Sequence, residues 1–104
     1  MSNLPLSEQY RLVAKRWVEA DSAANLLEET KSAVLAKMMA QRGDMPVSKA
    51  EMQVKASDEW TDFVTKMVNA RQSAALLKVQ MAYIQMKASE WMSENATKRA
   101  EMKL

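Results

Sequence analysis

Trp60, Phe63, Met67, Ala70, Ala74, Leu77, Met81, Ile84, Ala88 and Trp91 are apolar and succeed one another at alternating spacings of three and four residues. Such spacing places every member on one stripe of a helix, and its persistence predicts a long helix with a coiled-coil seam. The first third of the chain carries a matching series: Tyr10, Val13, Trp17, Ala20, Ala24 and Leu27, an interruption at Lys31, then Val34 and Met38. Two such seams joined by a short connection predict an all-α fold, a long antiparallel helical hairpin with a short helix in the connection.

Helix-start and helix-stop signals set the expected boundaries. Ser7, just after Pro5, is suited to cap a helix over 7–42, and Gly43, the only glycine, suits its left-handed stop. Pro46 keeps 43–47 as a turn. Ser48 and Glu51 have capping-box spacing, which predicts a short helix over 48–56. Ser57, followed by Asp58 and Glu59, predicts a restart and a long helix over 57–102. The whole of 1–104 is expected to form one helical-hairpin domain. If Arg42 lies near Ser57, Met38 faces Phe63, Leu27 faces Ala74, Trp17 faces Ile84, and Tyr10 approaches Trp91. The helix after Trp91 then overhangs its partner.

A second apolar row sits off the seam. Leu76, Val79, Tyr83 and Met86 share another face of the long helix, and Leu12 and Leu26 are similarly off-seam on the first helix. A two-helix hairpin buries only one face of each helix, so this row predicts self-association, most simply a dimer forming a helical bundle. Leu76, Val79, Tyr83 and Met86 are therefore the candidate oligomer or partner face.

Composition agrees with a chain of few turns: one glycine, two prolines and ten methionines in 104 residues. The net charge of +2 is divided evenly, with 6 basic and 5 acidic residues before Gly43, so neither half is a basic arm or an acidic tail. The N-terminal stretch lacks the basic-then-apolar order of a signal peptide, and no apolar run approaches the ~20 residues that span a bilayer. A soluble cytoplasmic protein without membrane contact is the expectation.

Candidate chemistry is sparse. Histidine and cysteine are both absent, which removes the commonest general base, thiolate nucleophiles and the usual transition-metal ligands. Phosphate-cradling loops need glycines that the chain lacks. The acidic pairs Glu28–Glu29 and Asp58–Asp62 read as a solvated face and a helix N-terminus. No enzyme activity, cofactor, metal or small-molecule substrate is expected. Lys98, Arg99 and Lys103 cluster near the end of the long helix and are the candidate nucleic-acid contact.

The stretches "VKASDEWTDFV", "NARQSAALLKVQM" and "ASEWMSENATKRAEMKL" resemble small helical proteins of tailed bacteriophages and prophages encoded among recombination and replication genes. The likeness covers about Ala20 to Leu104 and rests on the restart at Ala56 to Trp60, the Asn-Ala-Arg after it, and the terminal Trp-x-Ser-x-Asn-Ala pattern. It implies a phage accessory protein in the host cytoplasm, serving DNA recombination or replication. The small secreted hairpins with Trp-x-Gly in the turn are excluded, because here the turn reads "QRGDMP".

Two functional readings follow. In the first, the protein is a non-enzymatic accessory of DNA recombination or replication, acting through a helical oligomer and a protruding C-terminal helix that meets DNA or a DNA-metabolism protein. In the second, it is a protein-binding inhibitor or adaptor aimed at a host protein such as a nuclease.

Overall fold

The structure, a computed structural model, describes residues 3–102. These form three helices, α1 (Leu6–Ala40), α2 (Val47–Lys55) and α3 (Asp58–Met102), with 89% of residues helical and no strand among those described. Two long helices joined through a short one follow the order of a helical hairpin. No helix among the described residues is long and apolar enough to cross a membrane. Contacts divide the chain into two compact units: the part of α1 up to Glu19 with α3 from Ala75 onward, and Ala20–Ala74.

Both prolines start helices through their carbonyls. The Pro5 carbonyl accepts from Glu8 N and Gln9 N, each at 3.0 Å, and the Pro46 carbonyl accepts from Lys49 N at 3.1 Å and Ala50 N at 3.0 Å. Pro46, at φ −56° and ψ 143°, has the extended conformation from which a carbonyl opens a helix. The expected serine caps are thereby displaced. Ser7 lies inside α1, and Ser48 lies inside α2, which has no side-chain cap. Glu51 pairs with Lys55 at 2.8 Å instead of reaching back to Ser48.

The stop and the restart follow the expected residues more closely. α1 ends at Ala40, two residues before the expected Arg42, and Gly43 then turns the chain at φ +82°. Ser57 accepts from Trp60 N at 3.3 Å through its hydroxyl and so caps α3. The chain breaks there because Ser57 N donates to the Val54 carbonyl at 2.9 Å, a tightened last turn of α2.

In the unit 20–74, Ala24, Ala50, Val54, Trp60 and Ala74 are buried. Ala50 and Val54 lie four residues apart on one face of α2 and go inward, while Val47 and Met52 remain exposed. Trp60 stacks on Phe63 with ring centroids 5.7 Å apart. In the other unit, Val13 and Ile84 are buried, and Gln85 Nε2 donates to the Tyr10 hydroxyl at 3.2 Å. Of the α3 seam, Trp60 to Ala88 are buried or half-buried, whereas Trp91 is exposed. On α1 the seam positions Tyr10 to Met38 are likewise covered, and Lys31 is exposed.

The helix register differs from the expected one. Tyr10 meets Gln85, not Trp91, and Trp91 instead lies with Leu4, Pro5, Leu6 and Ser7. Arg71 reaches Asp21, Asn25 and Glu28, so α1 is displaced by about one and a half turns from the pairing of Leu27 with Ala74. The expected register rested on placing Arg42 beside Ser57, although α2 stands between them in the chain.

Candidate interaction surface

At 3.6 residues per turn, positions 76, 79, 83 and 86 fall within an arc of about 80° on α3. The seam positions Leu77, Met81, Ile84 and Ala88 are centred about 150° away, so the row occupies the back of the helix. Its side chains are open to solvent: Leu76 is 63% exposed, Val79 66%, Tyr83 53% and Met86 52%. Ala75 and Ala82, both exposed, flank the row and leave the backbone accessible beside it. Leu76, Val79, Tyr83 and Met86 together form a row of large apolar side chains along one face of α3. Lys87 folds its ammonium to 5.5 Å from the centre of the Tyr83 ring, four residues before it, a cation–π contact at the edge of the row.

α1 contributes less. Leu26 is exposed, and so is Val18, but Leu12 is half-buried and therefore does not extend the row.

Beyond Trp91, α3 continues to Met102 with every described residue exposed except the half-buried Asn95. Lys98 lies in a shallow depression bordered by Ser93, Glu94, Thr97 and Glu101. Two carboxylates on the same face offset its charge. Arg99 follows it by about 100° around the axis. Lys103 lies outside the described residues.

Arg71 of α3 is committed within the fold. Its Nη1 donates to Asp21 Oδ1 at 2.6 Å and its Nη2 to Asn25 Oδ1 at 2.6 Å. Nε and Nη2 also meet the two Glu28 carboxylate oxygens, both at 2.9 Å. The Glu28 carboxyl is held below its ordinary value, first by the hydrogen bond from Arg71, and Arg71 is raised by Glu28 and then Asp21. The signal for this clamp was present in the sequence: Asp21, Asn25 and Glu28 are spaced four and three apart on one helix face.

No cluster of three or more potential metal ligands occurs among the described residues. A recess of about 300 Å³, at the lower end of ligand-site volumes, lies between Leu6, Ser7, Tyr10, Ile84, Gln85 and Ala88. Of its polar lining groups, Tyr10 and Gln85 bond each other. Comparison with protein-family models, with curated proteins and with solved structures finds no match.

Proposed function

We propose that this chain is a non-enzymatic accessory protein that acts by binding, and that it self-associates, most simply as a dimer, through the back face of α3. The observation that carries this reading is the exposed Leu76, Val79, Tyr83 and Met86 row, opposite a seam already in use within the chain. Burying the exposed half of such side chains contributes about 1 kcal/mol each. Eight of them across two copies offer about 8 kcal/mol, the same order as the cost of association. Assembly is therefore concentration-dependent and sensitive to each side chain. The resemblance to phage accessory proteins supplies the setting: DNA recombination or replication in the host cytoplasm.

The end of α3 supports a second reading, the inhibitor or adaptor of a host protein such as a nuclease. Lys98 shares its face with Glu94 and Glu101, and mixed charge suits a protein surface better than a phosphate backbone.

Sedimentation equilibrium tests the self-association. The wild-type chain is expected to show a concentration-dependent dimer, and the Val79→Glu/Tyr83→Glu variant a monomer of unchanged helicity. An unaltered oligomer in that variant removes the role given to the row.

A further inference from the structure

We propose that the occupant of the α3 back face is a second copy of the same face running antiparallel, with a twofold axis beside Met81, so that Val79 meets Tyr83 and Leu76 meets Met86. The proposal rests on the self-association reading and adds the direction and register of the pairing.

Three observations carry it. The first is size. The row is symmetric in its spacing about residue 81, and an antiparallel partner sets the small Val79 against the large Tyr83 in both central layers. A parallel partner would set Tyr83 on Tyr83 and Val79 on Val79, a crowded layer beside a slack one. The flanks agree: Ala82 meets Ala82, allowing close approach, and Gln80 meets Gln80, whose amide both donates and accepts.

The second is charge. Glu90 follows Tyr83 by seven residues and so continues the row. Parallel pairing in register would place two Glu90 carboxylates face to face across a desolvating seam. In the antiparallel arrangement they lie about 27 Å apart along the axis.

The third is area. A half-exposed side chain of this size offers roughly 100 Å². Four from each copy, with the alanines and the Lys87 stem, reach the about 1,000 Å² that a specific interface requires.

The chain has no cysteine, so single-cysteine variants report on the pairing without background. Leu76→Cys and Met86→Cys are oxidised separately and as an equimolar mixture, after sedimentation has shown that each still dimerises. The expected result is a disulfide between the two different variants in the mixture, and little in either alone. Bridging requires Cα atoms within about 7 Å, and in this register the two copies of position 76 are about 15 Å apart along the axis.

If either substitution abolishes the dimer, a spin label at Glu94→Cys replaces the cross-link. It is expected to show a separation of about 40 Å along the axis. Efficient self-bridging of Leu76→Cys, or a Glu94 label distance under about 20 Å, overturns the antiparallel register while leaving self-association standing. A wild-type chain that stays monomeric at every concentration overturns both.

Discussion

A guanidinium presents five N–H donors in a rigid planar fork, and at Arg71 four of its bonds are made to three side chains of α1. A sliding of α1 by one residue would carry Asp21, Asn25 and Glu28 out of the fork together, so the clamp specifies register more than it adds stability. The pairs are partly exposed, which keeps their net worth small. Their contribution nonetheless depends on pH with a definite sign. Glu28 has a folded pKa below its unfolded value of about 4.3, so its stabilisation is fully present above that value and is lost as pH falls through the depressed folded pKa. Urea midpoints of wild type and Glu28→Gln, measured from pH 7 to pH 2.5, are therefore expected to differ by a modest amount at neutral pH and to converge below about pH 4. A gap that stays constant across this range would remove the ionised carboxylate from the explanation. Glu8, lowered by its hydrogen bond from Arg11, titrates equally in both proteins.

α2 is held by two inward residues, Ala50 and Val54, in a unit whose largest buried side chain is Trp60. Trp60→Ala removes that ring and its stack on Phe63, and is expected to cost about 3–5 kcal/mol. Met52→Ala, on the exposed side of α2, should change stability by less than about 0.5 kcal/mol. Equal shifts in the two denaturation curves would contradict the placement of α2. The existence and kind of these elements were legible in the sequence, because a seam with period near 3.5 has no strand equivalent and Ser57 had the right acids after it. The caps of α1 and α2 were not legible, although their starts fell within one residue of the expected ones. A serine is recognised as a cap by its side chain, whereas Pro5 and Pro46 act through backbone carbonyls that any residue possesses. Register escaped because a periodic seam slid along its partner still meets apolar residues, whereas the Arg71 contacts that mark the observed pairing lie off the seam. The exposed row on α3 was visible from spacing alone, since the face left over by one seam is defined once that seam is known.

For the molecule as a whole, most of the large apolar side chains left exposed among the described residues lie on α3. Fluorescence anisotropy with duplex and single-stranded DNA at low and physiological salt separates the two readings of its C-terminal turns. Direct contact predicts binding that weakens steeply as salt rises, and Lys98→Ala/Arg99→Ala should lower the salt slope by about 2 if each cation meets a phosphate. Binding unchanged by that pair, or absent at low salt, would move the protein-partner reading to the front.

The contacts of the two units close chain loops of different length. Arg71 and Glu28 are 43 residues apart in sequence, and Gln85 and Tyr10 are 75 apart. Closing the shorter loop costs less entropy, and once it is closed the ends of α1 and α3 need travel only a short remaining path to meet. Folding is then expected to propagate like a zipper from the Gly43 turn outward, and transient opening to run the other way. Native-state hydrogen exchange should find the slowest amides around Val54 and Trp60, with protection falling along α3 past Ile84. Slowest exchange near Tyr10 and Gln85 would mean that the far unit, not the turn, is where the chain first commits.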